Sequence, residues 1–491
     1  MLTCDNLSCR SGTAAARPGD GAGLRLGFET IGNATLVFYE NGRAVLATDP
    51  WLTGTCYFGS WALDRPVTER ELAAVRAADY IWISHGHPDH LHPESLELLS
   101  REQKILLPDH YRPEIRDSLQ ELGFDVTVLR YRQWRQLSPH LRCLCLDNEN
   151  QDAVLIVEAD DCLIVNLNDS PLCGEGRFIR SLVRRYDRRK TYLARLCAID
   201  ADMLNFVDAE GRRITEPPER YKPGMIWATA RSAERLGVGN FVCSSSQHLY
   251  VRPDSAWANP YRILWADIQR HWTRPQIRVL EPFVTVDLET GAYERKHPTQ
   301  TSDESRVGDQ GHVGDDDYSE RLSEEEWSRV VAFFRRFELL RPRFDYLEFV
   351  VGGERRRLDL APDRLRPRRR PLRGLAFHAP RASLMATMEY GYFDDLLIGN
   401  FMKVELHNAK LYPHFTPVVA KLGGNAKVFT RAELRAFRRR YFRRNPGGYV
   451  CWRLAQRSEE WLDAARVVAD RLGIKRPLKL LYRKILADPV S

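Results

Sequence analysis

The sequence predicts a layered α/β fold followed by a smaller, basic α+β domain, and three observations predict it. From Arg25 to Pro298, short runs rich in β-branched and aromatic residues alternate with helical patterns. A histidine-rich string, S-H-G-H-P-D-H-L-H at 84–92, follows directly on an apolar strand, Tyr80-Ile81-Trp82-Ile83. A polar, acidic stretch from Thr299 to Ser319 then interrupts the pattern, and a new amphipathic helix begins after it.

Along the chain, residues 1–24 are Gly/Ala/Arg-rich without an apolar core and read as a flexible tail rather than a secretory signal. Ala34–Tyr39 and Ala44–Thr48 form a hairpin across Glu40-Asn41-Gly42-Arg43, with Asn-Gly as the turn signal. Thr68-x-x-Glu71 is a capping box that opens a helix to about Ala78. Strand Tyr80–Ser84 delivers the histidine string, and Pro93 starts the next helix. Then come a strand at Lys104–Leu107, a helix at Tyr111–Leu122, a strand at Val126–Leu129, and strands at Arg142–Leu146, Ala153–Glu158 and Cys162–Leu167. Cys143 and Cys145 alternate with Leu144 and Leu146, the pattern of a buried strand.

Residues 299–319 form the expected linker, with Asp315-Asp316-Asp317 read as solvated because the spacing of a calcium loop is missing. Residues 320–491 form the second domain. Ser323-x-x-Glu326 caps a helix with Trp327, Val330, Val331, Phe334 and Phe337 mainly on one face. A hairpin turns at Gly352-Gly353 within Tyr346–Leu360, and Met402–Leu406 forms a further strand. Arg431–Arg444 is a basic helix and Trp461–Leu472 another.

The 491 residues are 43% hydrophobic and 28% charged, a balance that excludes a disordered chain. No run of eighteen apolar residues exists, so no membrane span is expected and the reading is cytoplasmic. Ten cysteines without a C-x-x-C pair exclude a zinc ribbon and a thioredoxin-like motif. The net charge of +7 is uneven: residues 341–491 hold 32 Lys and Arg against 15 Asp and Glu. That basic part is either a solvated helix face or a surface for an acidic partner, and no nucleic-acid partner is expected.

The chemistry lies in the histidine string. His85, His87, Asp89 and His90 put three imidazoles and a carboxylate within six residues, so one turn directs donors at two neighbouring cations. Imidazole with carboxylate suits zinc or iron rather than calcium. One turn does not fill two metals, so later strand ends must contribute. Asp169, after Cys162–Leu167, is placed to bridge the two cations. His248, beyond Phe241-Val242-Cys243, completes the metal of Asp89 and His90. The metal of His85 and His87 takes a ligand from the loop D-N-E-N-Q-D at 147–152: Glu149, or else Asp147 or Asp152. Asp49, at the end of its strand, is expected to orient a ligating imidazole, and His92 to be structural. Tyr57, Phe58 and Trp61 are expected to wall the cleft.

This arrangement resembles the metallo-β-lactamase superfamily, an αββα sandwich with a dinuclear site at one sheet edge, over Arg25 to Pro298. D-P-W-L-T-G at 49–54 and A-D-Y-I-W-I-S-H-G-H-P-D-H at 78–90 resemble the CMP-N-acetylneuraminate hydroxylase branch, as does D-A-V-L-I-V-E at 152–158 leading to Asn168-Asp169. That branch carries a Rieske domain with paired Cys-x-His elements, which are missing from this sequence. A carboxylate in place of a third histidine also resembles the diiron β-hydroxylases of antibiotic pathways, although the family alignment sets Asn148 opposite that histidine.

The resemblance implies a diiron oxygenase that hydroxylates a small metabolite, nucleotide-sugar or carrier-bound substrate. It implies two iron ions, dioxygen as co-substrate and an external electron donor such as a ferredoxin or Rieske protein. The alternative is a dinuclear zinc hydrolase of a phosphoester, lactone or amide, since L-ascorbate-6-phosphate lactonases and N-acylethanolamine phospholipases look similar to this chain as well. Hard oxygen donors tilt the reading toward iron.

Overall fold

A computed structural model of the protein describes residues 23–296, 306–308, 316–360 and 371–457. Side-chain alternation builds two facing sheets. One runs in the order Tyr293–Arg295, Val284–Asp287, Leu26–Ile31, Thr35–Glu40, Arg43–Thr48, Tyr80–Trp82, Lys104–Pro108, Asp125–Leu129. The other runs Arg278–Leu280, Asn240–Ser244, Thr191–Leu196, Cys162–Asn168, Ala153–Ala159, Leu141–Asp147, Trp134–Gln136.

In a strand, successive side chains point to opposite faces. Phe28, Phe38, Leu46, Trp82 and Leu106 of the first sheet therefore meet Cys143, Cys145, Leu155, Val157 and Ile164 of the second in a shared core. The intervening residues Val37, Ala47, Ile81, Ile105 and Leu107 face outward, where Val75, Leu96 and Leu119 of three helices cover them. On the far side Leu144, Val154, Ile156 and Val165 pack under Ile179, Leu182, Ile226, Ala233 and Ile268. The layering is thus helix, sheet, sheet, helix. Each large apolar side chain so buried contributes about 1.5–3 kcal/mol, and the cysteines of the Cys143/Cys145 strand act as small core residues.

Local signals match local structure. Asn41 and Gly42 adopt φ of 49° and 75°, the left-handed pair that a two-residue hairpin requires. Thr68 and Glu71 form the reciprocal cap, with Thr68 N–H donating to Glu71 at 3.0 Å. The helix expected from Tyr111 instead spans Glu114–Glu121, because Pro113 disfavours helical backbone at the residue before it.

A second sheet system follows, in the order Phe206–Val207, Lys403–His407, Gly374–His378, Tyr346–Val351, Glu354–Asp359. Phe334, Phe349, Phe377, Phe393 and Phe415 form its core. Its edge strand, Phe206–Val207, comes from the sandwich part of the chain, so the two parts share a sheet. Two expectations need correction. Asp316, read as solvated, has a buried side chain: it meets Arg252 at 2.9 Å and accepts a hydrogen bond from Ser383 N–H at 2.9 Å. The basic helix Arg431–Arg444 is not a bare solvated face either. Arg440 donates to the backbone carbonyls of Asp109, His110 and Tyr111, and Arg444 pairs with Asp109 and Asp147. Residues 1–22 of the tail expected over 1–24, most of the expected linker and the helix expected at Trp461–Leu472 lie outside the described residues. Among those described, no helix is long and apolar enough to cross a membrane.

Candidate metal centre

Three strand ends meet where the histidine string begins. Asp49, Asn168 and Ser245 each follow or end a strand, and all three take left-handed backbone, φ of 41°, 54° and 55°. Such conformations cost about 1–3 kcal/mol each unless the surroundings hold them. Here they hold one another. Ser245 Oγ donates to Asn168, and Asn168 Nδ2 donates to Asp49 Oδ2 at 2.5 Å. Asp49 Oδ1 accepts from Ser84 N–H at 2.7 Å and Ser84 Oγ at 2.9 Å.

This cluster grips the Nδ1 side of His90, with Asn168 Nδ2 at 3.0 Å and Asp49 Oδ2 at 3.5 Å. The opposite nitrogen, Nε2, lies 3.2 Å from Asp89 and 3.3 Å from Asp169, with hydrogen-bond geometry to neither. Nε2 of His90, a ring nitrogen of His85 and a carboxylate oxygen of Asp169 fall within 4.8 Å of one another. A second group with the same spacing joins His87 to Asp394 and Asp395 of helix Asp394–Ile398. His87 Nε2 lies 3.0 Å from Asp394, and His87 Nδ1 lies 2.9 Å from His85 Nε2, so the two groups adjoin.

The expected residues are thereby sorted. His85, His87, His90 and Asp169 come together. Asp89 stands beside them with its oxygens engaged, Oδ1 by Tyr57 at 2.5 Å and Oδ2 by Asn33 at 2.9 Å. His248 lies outside both groups, stacked on Trp61 with ring centroids 3.5 Å apart. The loop acids differ most from expectation. Glu149 is in neither group and lies 4.0 Å from Lys421 and 3.8 Å from Arg453, because the C-terminal part brings cations over it. Asp147 is held by Arg444, and Asn148 donates to Ser170 at 2.6 Å. Asp152 is the loop acid within electrostatic reach of His87, Asp169 and His90. His92 caps the next helix through Ser95.

Sequence reasoning missed Asp394, Asp395 and His110. His110 follows the neighbouring parallel strand Lys104–Pro108 and donates to Ser84 O at 3.1 Å. The rule that strand ends carry chemistry was enough to find it. The two aspartates carried no such signal.

The electrostatics favour cations. Burial alone lowers a histidine pKa, and it holds His85 well below the usual value and takes His248 down to about 3. At His87 burial is outweighed by the Asp394 hydrogen bond and the charges of Asp394, Asp395 and Asp89, and the pKa rises to about 10. His90 is raised too, against burial, by Asp89 and Asp169. Burial pushes Asp152 up to about 6. The field that draws protons onto these imidazoles is the field that holds metal ions. Oδ1 of Asp169, Asp394 and Asp395, like Nε2 of His90, is buried without a hydrogen-bond partner among the described residues, so the donor set fits two bound cations.

Above the groups lies a cavity of about 840 Å³, lined by Tyr57, Trp61, Asp152 and His248 of the sandwich and by Lys421 and Arg438 of the C-terminal part.

No family model matches the chain. It is 29% identical over 173 residues to a cytidine monophosphate-N-acetylneuraminic acid hydroxylase from Danio rerio, 33% of this chain and 29% of that protein. The corresponding protein from Asterias rubens is 42% identical over 145 residues, 28% and 22% of the two chains. A Mycolicibacterium smegmatis protein named for a Rieske 2Fe-2S iron-sulfur protein is 32% identical over 96 residues, 19% and 18%. The matches thus span less than a third of each of these relatives. Among solved structures, Igni18, a metallo hydrolase from Ignicoccus hospitalis, aligns over 53% of this chain and 97% of its own at 16% identity and TM-score 0.34. YhfI of Bacillus subtilis, a metallo-beta-lactamase fold protein, aligns over 53% and 98% at 10% identity and TM-score 0.32. Paired sheets with helices outside them, and the histidine string at their strand ends, give the chain an αββα layering, and over about a third of its length it is similar to the cytidine monophosphate-N-acetylneuraminic acid hydroxylases.

Proposed function

We propose that this chain is a dinuclear-metal enzyme, a diiron oxygenase that hydroxylates a small metabolite, nucleotide-sugar or carrier-bound substrate with dioxygen. The observation that carries this reading is the donor set: His85, His90 and Asp169 in one group, His87, Asp394 and Asp395 in the next. Three imidazoles with three carboxylates is a hard, oxygen-rich set, which favours iron over zinc. Bound iron would supply the redox chemistry with dioxygen, and the protein the coordination, access and pose.

The chain's own residues have definable tasks. Asp49 and Asn168 hold the His90 ring, and Tyr57 donates to Asp89. Trp61, stacked on His248, forms an apolar wall beside the donors that limits water. Asp152, whose pKa burial lifts to about 6, lines the cavity, where it is placed to give or take a proton. Electrons come from a separate donor such as a ferredoxin or Rieske protein. Similarity to proteins named as hydroxylases and as a Rieske protein supports this, and a cytoplasmic site of action belongs to the same reading.

Metal analysis of anaerobically purified protein tests it. Two equivalents of iron, with a near-ultraviolet charge-transfer band that bleaches on reduction, are expected. Two equivalents of zinc, with turnover of a chromogenic ester in the absence of reductant, would overturn it in favour of a dinuclear hydrolase.

A further inference from the structure

The C-terminal part roofs the cavity with positive charge. Lys421 comes from the segment Pro417–Asn425, Arg438 from the helix Arg431–Arg444, and Arg453 from residues beyond it. All three line the same cavity as His85 and His87. The carboxylate that meets them is Glu149, 4.0 Å from Lys421 Nζ and 3.8 Å from Arg453. Its own side chain is 4% exposed, and those of Lys421 and Arg453 are 13% and 29% exposed. Arg438 Nε is buried with no hydrogen-bond partner among the described residues. Burial and the charge of Arg453 both push the Arg438 pKa down, so the group is crowded by its own kind. Its neighbours on the helix are otherwise engaged, Arg440 and Arg444 holding the sandwich at Asp109 and Asp147.

Among the described residues Lys421, Arg438 and Arg453 face one carboxylate, Glu149, with Arg457 adding to the positive field, so positive charge is in excess in a partly dry pocket. Such a cluster is unfavourable unless a counter-charge arrives. We infer that Lys421, Arg438 and Arg453 form a subsite for a phosphate group of the substrate, which anchors one end of the molecule while the rest reaches toward His87 and Asp169. A dianionic phosphate monoester matches the excess, and the arginine fork suits its oxygens. A cavity of about 840 Å³ falls within the range of about 300–1,000 Å³ usual for small-molecule sites. Glu149 then sets the strength of the subsite by cancelling one of its charges. This inference rests on the cavity being the active site.

The test is calorimetric titration of the full chain with inorganic phosphate, with metal content and melting temperature measured on each sample. Lys421→Gln and Arg438→Gln are each expected to weaken phosphate binding by at least about tenfold, the loss of one charge-assisted hydrogen bond. Metal content should stay as in the wild type. Arg438→Lys keeps the charge but loses the fork and should weaken binding less than Arg438→Gln does, and Glu149→Gln should bind phosphate more tightly because it removes the competing charge. Arg435→Gln, exposed on the same helix, should change nothing. Unaltered affinity in both glutamine variants overturns the subsite, as does weaker binding in Glu149→Gln, or acetate bound as tightly as phosphate. The expected ranking in protein that holds no metal supports the subsite and sinks the metal reading. A metal-replete protein without the ranking does the reverse.

Discussion

Asp394→Asn separates the candidate donor groups that the structure brings together from the ligand set the sequence alone suggests. The substitution preserves shape and removes one charge from a carboxylate whose side chain is 4% exposed and lies 3.0 Å from His87 Nε2. Two of the loop acids are held elsewhere, Glu149 toward Lys421 and Arg453 and Asp147 toward Arg444. Loss of a partner that only orients a ligand costs about 10–100-fold in metal affinity. A direct donor should cost at least the upper figure, about 2.7 kcal/mol. Purified Asp394→Asn should therefore hold about one metal equivalent fewer than the wild type and lose its remaining metal to a chelator at lower concentration. Glu149→Ala, which the sequence reading expects to lose a metal, should keep its full complement. A wild-type metal count and chelator profile in Asp394→Asn, or a lost equivalent in Glu149→Ala, would refute the assignment. A urea melt on both variants checks that the fold is intact.

Three further outcomes are expected. Trp82→Ala empties the inter-sheet core at a fully buried ring and should cost about 3–5 kcal/mol in urea unfolding. Arg440→Ala removes donors to three backbone carbonyls and should cost about 1–3 kcal/mol, whereas Arg439→Glu, on an exposed neighbour, should stay within about 0.5 kcal/mol. Glu405 gives a pH dependence. Burial raises its pKa, but hydrogen bonds from Arg355, His378 and His407 outweigh it and hold the carboxyl down at about 2, below the ordinary 4.5. A depressed carboxyl stabilises the fold above its unfolded pKa and loses that contribution as pH falls. Stability should drop between pH 4.5 and about 2, and Glu405→Gln should flatten that slope in denaturation measured at successive pH values.

The layered sandwich was legible because a strand's two-residue period and a helix's near-four-residue period are written locally, so Phe38 and Val37, or Cys143 and Leu144, already declare opposite faces. The histidine string was legible for the same reason, since four donors within six residues need only one turn to converge. Asp169 was reached by placing a strand end beside it, and Asp49 likewise. What the local pattern does not carry is which distant surface lies over a loop. Asp394 meets His87 across 307 residues of sequence, and only the packing of the phenylalanine-rich C-terminal core sets that short helix against the donors. The same packing turns Glu149 toward Lys421 and Arg453 and makes the charge of a basic helix part of a cavity wall. By itself the sequence determined the two-sheet frame and the imidazoles of the histidine string, His85, His87 and His90. The tertiary structure decided which carboxylates stand beside them, because long-range contacts follow from how two cores dock and not from any spacing along the chain.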